Sequence, residues 1–279
     1  MIKFGRDIAS LPNLCYNDLN REIGKLIFRK GDIMRDYGLQ MYGLRDITDK
    51  DMRLALKTAA DIGYKQIEFA GFFDNSPADI RAWLDEFGLT AISTHTGLSL
   101  LSPENIKETI ATHKALGIKD LIVPGFRMGT REELDYAMGV IVAAEPILRD
   151  EGITLSVHNH AREFMTTSYG VLAHKEFEEK TSVKFQLDTY WIFVAGKDPI
   201  EQMEHYHSIG RLTSVHLRDG MKNTDGRALG EGEAPVEAVL AKALELDLPI
   251  IVESEGLNPT GAEENARCFE FLRKYHESH

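Results

Sequence analysis

Residues 61–69 read DIGYKQIEF, 86–94 EFGLTAIST, 115–123 ALGIKDLIV and 150–158 DEGITLSVH. Each is the same phrase: the end of a helix, a glycine, a short loop and an apolar run of strand length. A glycine just past a helix suits a left-handed cap. The short apolar run after it reads as a buried strand. Working outward, the pattern places strands at 38–42, 66–70, 90–95, 120–124, 154–158, 183–188, 212–218 and 249–253. The segments between them have helical period. Met52, Leu56, Ala59 and Gly63 share one face, as do Leu134, Met138 and Ile141. Thr48 with Asp51, Thr130 with Glu133 and Thr260 with Glu263 fit the Ser/Thr-x-x-acid start signal. Strand–helix alternation is compatible with an open doubly wound sheet. Eight regular units favour a closed (β/α)8 TIM barrel of the α/β class, formed by residues 37–279. Residues 1–36 lack the pattern and are read as an N-terminal extension with no assigned role.

Composition narrows the function. The 279 residues are 43% hydrophobic and 27% charged, enough for one large core without staples. Lys plus Arg number 32 against 44 Asp plus Glu, a net charge of −12. So acidic a body has no general attraction for phosphate backbones or anionic lipid, and neither a nucleic-acid nor a membrane partner is expected. No apolar run approaches the ~18–20 residues of a membrane span, and the first 30 residues show no secretory pattern. Cys15 and Cys268 form no disulfide framework. The expectation is a cytoplasmic enzyme or binding protein taking a small molecule.

A barrel of this kind carries its site at the C-terminal ends of the strands. Polar residues gather there: Glu68, His95, His158 with Asn159, His160 and Glu163, Asp188, His216 with Arg218 and Asp219, and Glu253. Polar groups at one end of apolar strands are costly to bury unless paired or metal-bound. Imidazole with carboxylate suits Mn, Zn, Fe or Co, with Mg a further option, and His158, Asp188, His216 and Glu253 are the expected ligands of one divalent ion. His95, Glu68, Trp191 and Arg218 are candidate substrate contacts, each with an alternative structural role. Gly230-Glu231-Gly232 reads as a tight turn rather than a phosphate loop.

GLQMYGLRD (38–46), GYKQIEFAG (63–71), VHNHAREF (157–164), FQLDTYWIFVAGKDP (185–199), GRLTSVHLRDG (210–220), LGEGEAPVEAVL (229–240) and IIVESEG (250–256), in that order, resemble the sugar phosphate isomerase/epimerase family. The resemblance is to its xylose-isomerase-like TIM barrel, closest to the inosose-dehydratase-like branch. It implies a strand-end divalent metal held at Asp188, His216 and Glu253. It also implies a glutamate ligand on strand five, where this chain has His158. That departure puts a symmetric two-glutamate proton exchange in doubt. Glu163 is then a candidate base or ligand, Glu253 a second base, and His160 a proton donor or substrate contact. The expected activity is a metal-dependent isomerase or epimerase acting on a keto-sugar or cyclitol through an enediolate. The alternative is a lyase or dehydratase on a 2-keto cyclitol or 3-keto-glycoside. Less favoured are an abasic-site endonuclease, opposed by the charge, and a non-catalytic sugar-binding barrel. Barrels of this superfamily often form homo-oligomers.

Overall fold

The computed structural model describes residues 34–279; most of the N-terminal extension, with Cys15, lies outside them. Eight parallel strands close into a barrel: β1 (Gly38–Gln40), β2 (Gln66–Phe69), β3 (Thr90–His95), β4 (Asp120–Val123), β5 (Thr154–His158), β6 (Lys184–Asp188), β7 (Leu212–Leu217) and β10 (Ile250–Val252). A small antiparallel ribbon, β8 (Asp219–Gly220) with β9 (Gly226–Arg227), stands on the loop after β7. Helices such as Met52–Ile62, Arg131–Asp150 and Gly261–Ser278 wrap the outside. Among the described residues no helix is long and apolar enough to cross a membrane.

The strands lie where the sequence places them, with shorter ends. β1 stops at Gln40 because Met41–Leu44 coils into a 3-10 turn, and the Gln40 side chain accepts the Tyr42 N–H at 3.1 Å. β4 stops before Pro124, which has no N–H for the ladder. Thr130 and Thr260 cap their helices by accepting the N–H of Glu133 and Glu263. Thr48 does not. Its hydroxyl donates back to the Leu44 carbonyl at 2.8 Å, and Asp51 is the cap, accepting from Leu54 N. The Ser/Thr-x-x-acid signature mistook the end of one short helix for the start of the next.

Strand periodicity divides the interior. Phe185 and Leu187, with Leu155 and Val157, pack outward against the helices, whereas Gln186 and Asp188 turn into the lumen. The inward orientation is fixed by a bond across the barrel: Gln186 Nε2 on β6 donates to Glu68 Oε2 on β2 at 2.6 Å, and these strands face each other across the closed sheet.

Candidate active site

The lumen is layered. Its deeper layer centres on Glu68, which is fully buried. Glu68 Oε1 accepts from Gln40 Nε2 and faces His216 Nε2, each at 2.6 Å. Its Oε2 accepts from Ser93 Oγ and Gln186 Nε2, also at 2.6 Å. Burial alone would raise this carboxyl. The charges of His216 and His95, with the hydrogen bonds, outweigh it and hold the pKa at about 2. Gln186 Oε1 in turn lies 3.1 Å from His158 Nδ1 and 2.9 Å from His95 Nε2. Its amide must point its NH2 at the Glu68 carboxylate, so its carbonyl is left to accept protons from both histidines. His158 therefore carries its proton on Nδ1 and has Nε2 free.

The upper layer holds His158, Asp188, His216 and Glu253, all buried, with one donor atom from each within 4.8 Å of the others. β5, β6 and β7 deliver the first three at their last or next-to-last residues, and Glu253 follows β10 directly. Asp188 doubles as a helix cap: its Oδ1 accepts Trp191 N at 2.9 Å, opening the helix Thr189–Val194. Its Oδ2 is buried with no hydrogen-bond partner. The nearest cation is Arg218 Nη1 at 3.9 Å, beyond hydrogen-bond reach. Burial, helped by the Glu253 charge, pushes the Asp188 carboxyl up to about 7 despite Arg218. Glu253 goes the other way: burial opposes its ionisation, but the charge and hydrogen bond of His216, with Nδ1 at 3.0 Å, hold it well below the usual range. His216 resists its own burial through Glu68 and Glu253 and binds its proton tightly, while burial and the neighbouring His216 and His95 keep His158 neutral.

The other candidates separate. His160 sits beside the cluster, its ring 5.2 Å from His158 and 5.8 Å from Trp191, with Nδ1 buried and unpartnered. Arg218 is buried over the Tyr190 and Trp191 rings, 3.6 Å from Glu253 and paired with Glu255. Trp191 Nε1 and Arg218 Nε are buried donors without an acceptor. Glu163 turns away from the four-residue cluster. Its Oε2 accepts His160 N at 2.8 Å and its Oε1 accepts Arg162 Nε at 3.0 Å. His95 is committed downward to Gln186 and Glu68. Sequence reasoning passed over Gln40, Ser93, Gln186 and Ser214. The signal for the last two was present: each stands two residues ahead of a candidate ligand on its strand, and so on the same face.

Comparison with known proteins follows the geometry. The family model of the xylose isomerase-like TIM barrel matches residues 56–275. An inosose dehydratase of Geobacillus kaustophilus is 24% identical over 203 residues, 63% of this chain; the match spans 64% of that relative, less than two thirds of its length. A sugar phosphate isomerase/epimerase from Parabacteroides distasonis superposes with a TM-score of 0.73 at 24% identity, over 88% of this chain and 96% of the other. A D-allulose 3-epimerase from Methylomonas sp., solved in complex with D-allulose, gives 0.65 at 20% identity, over 87% and 97%. At these identities the structural likeness speaks for the fold.

Proposed function

The chain belongs to the xylose isomerase-like TIM-barrel family, and from that premise we propose that it is a metal-dependent isomerase or epimerase acting on a keto-sugar or cyclitol. The observation that carries the reading is the bare Oδ2 of Asp188, dry and unpaired, among the donors of His158, His216 and Glu253. A buried carboxylate oxygen left this way is costly unless a cation meets it. The donor set fits Mn, Zn, Fe or Co, with Mg a further option. His158 would bind through Nε2, and His216 through Nδ1 while its Nε2 is held by Glu68, the arrangement by which outer carboxylates orient imidazole ligands. A divalent ion bound there supplies Lewis-acid polarisation of a substrate carbonyl, which makes the neighbouring C–H acidic.

The chain's own residues then handle the proton. Glu253 is ionised and able to accept it. His160 is kept neutral by burial, against the raising influence of Glu163 and Glu253, so its free Nδ1 can take or return a proton. The free N–H groups of Trp191 and Arg218 offer donors to substrate oxygens. A lyase or dehydratase is the second reading, favoured by one observation. Strand five ends in His158 where the resemblance implies a glutamate, and Glu163 is engaged elsewhere, so there is no facing pair of free carboxylates. An imidazole at His160 suits protonation of a departing oxygen.

The test is metal content followed by isotope exchange. Protein purified without chelator is expected to carry about one divalent ion per chain, and Asp188→Ala to carry almost none. In D2O the parent should exchange a substrate C–H on a panel of keto-sugars and inososes. Equal metal in both proteins, or turnover without exchange at any carbon, overturns the reading. Product of unchanged mass apart from deuterium marks an isomerase or epimerase; product lighter by water or an alcohol marks a lyase.

A further inference from the structure

Beside the cluster, the loops after β3 and β4 leave a groove of about 450 Å³, within the range of small-ligand pockets. Leu98, Phe126 and Ala137 form its apolar surface, and Tyr136, 70% exposed, stands at its edge. The groove is continuous with the catalytic end of the barrel. Phe126 also lines the small cavity that holds His158, Asn159 and Glu163. Its carbonyl accepts Arg162 Nη2 at 2.9 Å, and a Cβ added to the neighbouring Gly125 would lie 3.8 Å from His160 Cε1.

The chemistry of the groove selects its occupant. A second sugar would call for donors and acceptors on the floor, and the floor is aliphatic and aromatic. A phosphate would call for a free cation, but Arg127 at the rim is already paired to Glu133 at 2.7 Å. Exposed apolar side chains also collect on this pole: Tyr42, Phe73, Leu100 and Met165 lie on the loops after β1, β2, β3 and β5. Scattered singly they would need no explanation, but together they mark a contact face.

We propose that this groove is a subsite for an aromatic aglycone, so that the sugar delivered to the cluster is a glycoside rather than a free keto-sugar. The inference rests on the sugar-directed function above and specifies its substrate class. An aromatic ring seats between Phe126 and Tyr136, and its burial fixes the sugar end beside His160.

Binding tests it without the reaction. Phenyl and methyl β-glucosides, neither carrying a ketone, are titrated into the metal-loaded protein by ligand-observed NMR. The phenyl compound is expected to bind at least about tenfold more tightly. Ala137→Phe, which fills the groove, should abolish the preference. Tyr136→Lys, an exposed position that leaves folding intact, should weaken phenyl binding several-fold and leave methyl binding unchanged. Equal affinity for the two glucosides, or an undiminished phenyl preference in Tyr136→Lys, overturns the proposal. So does a Tyr136→Lys protein altered only in light-scattering mass, because the face would then seat a second copy. Isotope exchange on free keto-sugars is measured in parallel. A phenyl preference without exchange would fail the metal chemistry and keep the subsite; exchange without the preference would do the reverse.

Discussion

His160 and Glu163 lie three residues apart and do different work. Glu163 spends both oxygens on His160 N and Arg162, so it holds the loop, whereas His160 Nδ1 is buried and free. Glu163→Gln keeps an acceptor for His160 N and is expected to retain C–H exchange within about tenfold, while His160→Asn should lose roughly 10²–10⁴, the usual worth of a positioned acid–base group. A Glu163→Gln protein that falls as far as His160→Asn would make Glu163 the base. Because burial lowers the His160 pKa below the 6.5 of a free imidazole, its neutral form persists through neutral pH. The rate should therefore stay flat there and fall only on further acidification, with the limb below the ordinary histidine range. At this scale the sequence was partly legible. Asp188, His216 and Glu253 stood out as charges ending apolar strands. Gln186 did not, because an amide inside a strand looks like any half-buried polar residue until the fold shows that it touches His95, His158, Glu68 and Ser214 together.

The loop after β7 is built around one side chain. Buried Asp219 accepts the backbone N–H groups of Gly220, Gly230, Gly232 and Ala234 at 2.8–3.1 Å. The glycine-rich turn is thus a nest for an internal carboxylate, in place of a ligand's phosphate. Gly232 is required by space: a Cβ there would sit 2.2 Å from Asp219 Oδ1. Arg218 and the Tyr190 hydroxyl, which donates to Met221 O at 2.7 Å, tie this loop to the cluster. Asp219→Asn points an amide NH2 at backbone donors, and Gly232→Ala expels the carboxylate. Both are expected to make residues 221–235 the first site of limited proteolysis while far-UV circular dichroism stays that of the parent. Unchanged cleavage in both variants would show that the loop holds without the nest. The sequence revealed the turn but not its purpose, because the carboxylate and the donors up to 15 residues away meet only after the ribbon β8–β9 has folded.

Across the whole molecule, the barrel was readable from its repeated helix–glycine–strand phrase, but the polar character of its lumen was not drawn from it. Period-two alternation in QIEF, TLSVH and FQLD carried that information. One polar site lies well away from the metal ligands. Asp120, at the start of β4, accepts Ser156 Oγ at 2.8 Å. Desolvation pushes its pKa up from 3.8 to about 7 against the lowering hydrogen bonds of Ser156 and Thr213, with the Glu68 charge adding to the rise. The folded state thus holds a proton that the unfolded chain releases, and stability falls as pH climbs from about 4 to 7. Asp120→Asn has no charge to bury. Its melting temperature should exceed the parent's at pH 8 by at least about 3 °C, the effect of ~1 kcal/mol in a domain this size, with the gap closing by pH 4. A constant difference at all pH values would remove Asp120 as the source.

Glu68 draws its partners from β1, β3, β6 and β7, at separations of 28, 25, 118 and 148 residues. Those donors face one carboxylate only at the native stagger, since slipping a strand by one residue turns its side chain to the outer face. A barrel closed in any other stagger would strand a dry anion in its middle, at a cost of several kcal/mol. The residue that orients an imidazole for its metal therefore also proofreads the closure of the sheet, and a chain that folds to the wrong shear is rejected by the same atom that would have been idle in its active site.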